Sequence, residues 1–323
     1  MGHNPHRGVI PTGECYRPDE RRRDVEKTIG ERIVDAMPFL DEAADAIQPK
    51  VRELVDRGGE RARYVLDGVW FEAPLHPVLT DVPIGSWTEA IVFDGLDLVS
   101  GKKAMRDAAD ASLAFGIGGA VAAAIVGLSD WRYLKGGSRR MGMAHAMLNT
   151  AGLILNTTSL LLRAAGRRNA GRLAFLAGYS LNGMGAHLGG ELSYKYGLRV
   201  NRNTFEATGP HDYVPVLDEA ELSGGEMRRV EVDGAGVLLS RSEKDGRVCA
   251  IAATCNHMGG PLEEGSREGD TVVCPWHNSR FDLCNGKALN GPAVFPQSGY
   301  LTRVREGKIE VKAVKENIQE KVL

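Results

Sequence analysis

Cys255-Asn256-His257, then sixteen residues, then Cys274-Pro275-Trp276-His277: the reading of this chain turns on these two short stretches. Each half supplies one thiol and one imidazole. Two loops of this kind, brought to one point, offer two sulfur and two nitrogen ligands. A two-iron cluster with one iron held by cysteines and the other by histidines needs that division. A structural zinc ion also takes two cysteines and two histidines, usually as Cys-x-x-Cys and His-x-x-x-His pairs. Mixed pairs with Pro-Trp inside the second favour the cluster over zinc.

The residues around the ligands extend the pattern. Gly259-Gly260-Pro261-Leu262 follows the first pair, and Asn278-Ser279-Arg280-Phe281-Asp282 follows the second. Gly291-Pro292-Ala293 and Pro296 come next. Together these stretches resemble the Rieske [2Fe-2S] domain, with the last of them similar to its cluster-covering loop. The resemblance implies a [2Fe-2S] cofactor with Cys255 and Cys274 on one iron and His257 and His277 on the other. It also implies that His257 and His277 face solvent. In the high-potential branch of the family a disulfide joins the ligand loops. The matching positions here are Gly260 and Trp276, so that bridge is absent. Of the two hydroxyls that donate to sulfur in that branch only Ser279 is kept, since Phe281 holds the other position. Fewer donors leave more charge on the sulfurs and lower the potential. The expectation is the ferredoxin and oxygenase branch, in the low half of about −150 to +300 mV.

A length of 323 residues allows about two domains. The net charge of −2, with both signs mixed, gives no reason to expect nucleic acid. Five cysteines leave Cys15, Cys249 and Cys284 after the ligands, an odd remainder unlike a secreted disulfide framework. Cys249 reads as a small buried hydrophobe and Cys284 as part of the Asn285-Gly286 turn. No apolar stretch follows Arg21-Arg22-Arg23, so no export signal is expected.

Residues 1–19 read as a tail and 20–70 as amphipathic helices broken near Pro49, lying on a membrane or on the next domain. Residues 71–199 hold four apolar segments: Pro74–Leu98, Ala111–Ser129, Met141–Leu162 and Leu173–Gly190. The last three approach the ~20 residues that span a bilayer. All are rich in small residues that allow close helix contact. A soluble bundle with buried Gly/Ala-rich helices is the competing reading. Residues 200–211 form a polar linker. From 212 to 313 short β-rich runs alternate with turns such as Asp233-Gly234 and Glu306-Gly307, and 314–323 is a tail. No internal repeat is evident. The expected fold is therefore an all-α, four-helix transmembrane bundle with preceding amphipathic helices, followed by an all-β domain.

Four spans collect His76, Asp81, Asp130, His145, His187 and Glu191 at one end of the bundle. Ionisable groups in membrane spans point to function by default. Three histidines from three helices offer a second site for haem, another metal or a quinone; interhelical hydrogen bonding and interface anchoring explain the same residues without a ligand. Pro74-Leu75-His76-Pro77, Gly127-Leu128-Ser129-Asp130-Trp131 and Gly185-Ala186-His187-Leu188-Gly189-Gly190-Glu191 resemble a bacterial family of predicted four-helix membrane proteins of unknown function. That family often precedes a Rieske module and commonly carries a further histidine where this chain has Ala73.

The combination is expected to be a bacterial, membrane-anchored one-electron carrier with membrane lipid around it and redox donor and acceptor proteins as partners. An oxygenase is the second reading, but the ~40 residues after the cluster motif contain no histidine for its mononuclear iron. Only His76, His145 and His187 remain to supply one. A structural or sensing cluster is the third. Eleven basic residues flank the spans on the side of both termini and seven on the other, which places the plasma-membrane protein's β-domain in the cytoplasm.

Overall fold

The computed structural model describes residues 27–314; the expected tail at 1–19, the start of the amphipathic region and residues 315–323 lie outside them. Seven helices precede an all-β domain: α1 Ile29–Asp35, α2 Leu40–Arg57, α3 Gly59–Leu66, α4 Leu75–Ser100, α5 Lys103–Trp131, α6 Gly136–Ala164 and α7 Arg168–Tyr194. Thr28 and Glu31 form a capping box at the start of α1. The expected break at Pro49 does not occur, because α2 runs through it and the chain turns at Ala36–Phe39 and Gly58 instead. These first helices lie on one end of the bundle. Val34, Leu40 and Ala44 pack against Trp131, Met141, Ala144 and Leu188. The buried Gln48 amide donates to the carbonyls of Trp131 (3.0 Å) and Leu134 (2.9 Å), which satisfies the end of α5.

Helices α4 to α7 invert the usual soluble pattern. Their buried side includes Gly116, Ser129, Gly152, Asn156, Ser159 and Gly178. Their exposed side carries Ile84, Val92, Leu98, Phe115, Ile125, Ile154, Leu161 and Leu173. Among the described residues only α5 is both long and apolar enough by composition to cross a bilayer, with a mean hydropathy of 2.0 over its best stretch. The central stretches of α6 and α7 are uncharged but diluted by Asn, His and Gly, and α4 carries Asp81, Glu89, Asp94 and Asp97. That charge is paired inside: Asp94 and Asp97 of α4 meet Arg163, Arg168 and Arg172 of α6 and α7 at the end away from α1.

A repeat is present after all. His76 on α4 bonds the Ala123 carbonyl and lies on Gly127, while Trp87 lies on Gly116. His145 on α6 bonds the Gly185 carbonyl and lies on Gly189, while Asn156 lies on Gly178. His145, Asn156 and Arg163 each follow His76, Trp87 and Asp94 by 69 residues; Gly178, Gly185 and Gly189 follow Gly116, Ala123 and Gly127 by 62. The α4–α5 and α6–α7 hairpins are copies in contact pattern. Sequence similarity misses this because few positions recur in identity.

The β-domain holds two sheets. One has the order β1-β10-β9-β4-β3-β2, from β1 Val214–Asp218, β2 Met227–Val232, β3 Ala235–Arg241, β4 Val248–Ala252, β9 Gly299–Arg305 and β10 Lys308–Ala313. The other is β5 Ser266–Glu268, β6 Thr271–Val273, β7 Arg280–Asp282 and β8 Ala288–Asn290, all antiparallel. Cys249 and Cys284 form a disulfide that ties β4 to the turn after β7. Cys249 is buried and Cys284 lies in the turn, as expected, but the two are bonded to each other.

Candidate metal centre

The two ligand loops are built alike. In the first, the Cys255 carbonyl accepts from the Gly259 N–H (2.9 Å), with Gly259 at φ 82°. In the second, the Cys274 carbonyl accepts from the Asn278 N–H (3.0 Å), with Asn278 at φ 60°. Each left-handed residue closes the loop so that cysteine and histidine point the same way. Glycine is needed at 260, where a Cβ would stand 2.9 Å from Cys274 Sγ and about as close to the Trp276 ring. Gly260 and Trp276 thus face one another, and the indole covers the approach with 54% of its surface exposed.

All four expected ligands converge. Cys255 and Cys274 are buried at 1% exposure, and the His257 and His277 rings stand 5.1 Å apart, nearly perpendicular. The thiols share a hydrogen bond, which lowers Cys274 to about 7 and raises Cys255. Burial, then the charge of Arg199, holds His257 well below its usual range. Burial, then Lys135, Arg132 and Arg52, lowers His277 to about 4. Neutral imidazole is the form that binds metal. His257 Nδ1 is buried with no hydrogen-bond partner. A buried, unpartnered nitrogen is costly unless something else takes its lone pair. Two buried thiols, two neutral imidazoles and that orphan fit a two-iron cluster. Ser279 is fully buried, and its hydroxyl accepts from the Ala293 N–H (3.0 Å), which leaves its own proton to donate. Asn256 fastens the covering loop through the Phe295 (2.8 Å) and Pro296 (2.9 Å) carbonyls.

Neither histidine faces open solvent. His257 is 8% exposed and His277 is half-buried, because the helical domain lies over both. The Tyr133 ring, just past α5, sits 5.0 Å from that of His277. Arg132, fully buried, makes a two-pronged pair with Asp67 (2.7 Å each). Burial alone would lower the Arg132 pKa, and its bonds to Asp67 more than offset that. Arg199 pairs with Asp130 and with Asp67 (3.2 Å) and donates to the Pro292 carbonyl of the covering loop. The linker is docked too, as the Arg202 N–H donates to Asn256 O (2.9 Å). Sequence reasoning missed Asp67, Arg132, Tyr133 and Arg199 here; the Asp130-Trp131 stretch was the one signal close to them.

The six bundle residues are only partly brought together. His76 and His145 stand 6.0 Å apart between ring centres. His187 is turned to Glu191 (3.3 Å), half exposed. Glu191 accepts from the Thr28 hydroxyl (2.6 Å) and the Gly30 N–H (2.9 Å), which fastens α1. Asp130 belongs to the Arg199 pair, and Asp81 is exposed on α4. Among the described residues no three His, Cys, Asp or Glu side chains outside the cluster loops gather as metal ligands.

Residues 212–306 match the family model described as the Rieske [2Fe-2S] domain, and residues 72–202 match that of the predicted membrane protein DUF2231. Ferredoxin CarAc of Metapseudomonas resinovorans is 30% identical over 99 residues, which cover 31% of this chain and 92% of the ferredoxin. Apoptosis-inducing factor 3 of Mus musculus is 30% identical over 112 residues, 34% of this chain but only 18% of that protein. Among solved structures, the ferredoxin of carbazole 1,9a-dioxygenase from Nocardioides aromaticivorans IC177 is 29% identical, covering 32% of this chain and 98% of its own, with a TM-score of 0.30.

Proposed function

This chain belongs to the Rieske [2Fe-2S] family through residues 212–306 and carries a DUF2231 membrane domain at 72–202, and from that premise we propose that it is a membrane-anchored one-electron carrier whose cluster face is turned toward its own helical bundle. The observation that carries this reading is the burial of His257 and His277 against Arg199 and Tyr133. Cys255 and Cys274 hold one iron, His257 and His277 the other. When bound, the cluster supplies one-electron exchange at its histidine side. The chain's residues do the rest: Ser279 donates to sulfur, the 291–296 loop excludes water, and the cations at Arg52, Arg132, Lys135 and Arg199 favour the added electron. Exposed Trp276 marks the face left for a donor or acceptor protein.

The four long helices span the bilayer, with the exposed leucines, valines and isoleucines facing lipid. Both termini lie in the cytoplasm by the excess of basic residues at that end. The cysteine count no longer supports that side, because Cys249 and Cys284 are bridged and disulfides persist mainly in oxidising compartments.

The test is an absorption and EPR spectrum of the purified, dithionite-reduced protein. Cys274→Ser loses the cluster signal, whereas Cys284→Ser keeps it. A protein with no Rieske signal, or one bleached by Cys284→Ser alone, defeats the assignment.

A further inference from the structure

The two half-buried histidines between the helical hairpins have matching surroundings. His76 bonds the Ala123 carbonyl through Nδ1 (2.8 Å), and His145 bonds the Gly185 carbonyl through Nδ1 (2.8 Å). Each ring is seated on a glycine of the neighbouring helix. A Cβ at Gly127 would come 2.7 Å from His76, and one at Gly189 would come 3.1 Å from His145. A backbone acceptor on Nδ1 fixes the tautomer that leaves the lone pair on Nε2, the arrangement of a metal-ligating imidazole with its outer partner in place; at His145 that nitrogen has only the Asn149 amide near it, at 3.4 Å. Both rings are held this way, at equivalent positions of the two hairpins.

Their separation matches a shared metal. An iron about 2 Å from each nitrogen, with each nitrogen just over 1 Å from its ring centre, sets two trans imidazoles roughly 6 Å apart. The centres here are 6.0 Å apart. Among the described residues no third protein ligand is near: His187 and Glu191 are turned to each other and to α1, and Asp130 is held by Arg199. Two protein ligands alone do not complete a zinc or non-haem iron site. They are what an iron needs when a macrocycle fills its other four positions.

The two seams between the hairpins are not packed alike. The hairpin repeat equates the seam between α5 and α6 with that between α7 and α4. Only the α5–α6 seam is closely packed along its backbones. The α4–α7 seam is bridged instead by long side chains, such as Tyr179 reaching the Thr88 hydroxyl (2.9 Å).

We propose that His76 and His145 are the two axial ligands of a haem bound between the hairpins. The function assigned to the site, one-electron exchange with the Rieske cluster, rests on the carrier reading above; the haem site itself does not. In that exchange one electron moves between two irons, one oxidised and one reduced, with no bond made or broken. Gly127, beneath His76, lies four residues before the end of α5, about 6 Å along the helix, and Tyr133, just past that end, touches His277.

The full-length protein purified in detergent is read two ways: haem by the pyridine haemochrome, and the cluster by its EPR signal after reduction. The expected result is one haem per chain, lost in His76→Ala and in His145→Ala while the cluster signal remains. That retained signal reports a folded chain. His145→Met keeps the haem and shifts its absorption to that of a mixed His/Met iron. Cys274→Ser loses the cluster and keeps the haem, which separates failure of the carrier reading from failure of this one. A cluster-containing protein that holds no haem, as isolated or after haemin is added, overturns the proposal. So does haem that persists in both alanine variants, or an extractable quinone in its place.

Discussion

Ser279 shows how much one hydroxyl does in a buried centre. It accepts from Ala293, which sets the covering loop, and has one proton left for a sulfur. Ser279→Ala is expected to lower the reduction potential of the cluster, because a donor to sulfur stabilises the reduced, more negative state. An EPR-monitored redox titration measures it, and an unchanged potential assigns the hydroxyl to the loop alone. The four residues that converge were legible in sequence because each loop places its cysteine and histidine within three residues. The residues that cover the histidines were not. Asp67, Arg132 and Arg199 lie 132 positions apart from first to last, and an isolated charge gives no sign that it will be buried.

The helices read well because their length and small-residue content persist over more than twenty positions. Strands β5, β7 and β8 did not, since three residues are too few to show alternation. The pairing of Cys249 with Cys284 was also invisible, because it depends on β4 meeting the turn after β7 and not on spacing. The joint between α3, the end of α5 and the cluster loops makes a sharper prediction. Asp67→Asn strands Arg132 in a buried site, while Arg199 keeps Asp130, and breaking such a pair costs about 3–5 kcal/mol. Thermal unfolding should drop accordingly, and limited proteolysis should cut residues 200–211 faster. Glu60→Gln removes the neighbouring contact to Arg280 (3.4 Å), which is exposed on the Glu60 side. That change should shift stability by less than ~1 kcal/mol. Equal effects from the two would show that the buried network is no stronger than a surface pair.

At the scale of the whole molecule, sidedness decides which partners can meet Trp276. A reporter fused to the C-terminus is expected to stay protease-protected in intact spheroplasts; cleavage from outside reverses the topology and gives the disulfide its ordinary setting. Both repeated hairpins begin at the same end of the bundle. At the ends that face each other, their equivalent positions differ in sign. Asp94 in the first copy meets Arg163, its counterpart in the second, and Asp110 corresponds to Arg172. Two first hairpins would now bring aspartate against aspartate, and two second hairpins arginine against arginine. The opposite signs suit each hairpin to the other and not to a second copy of itself.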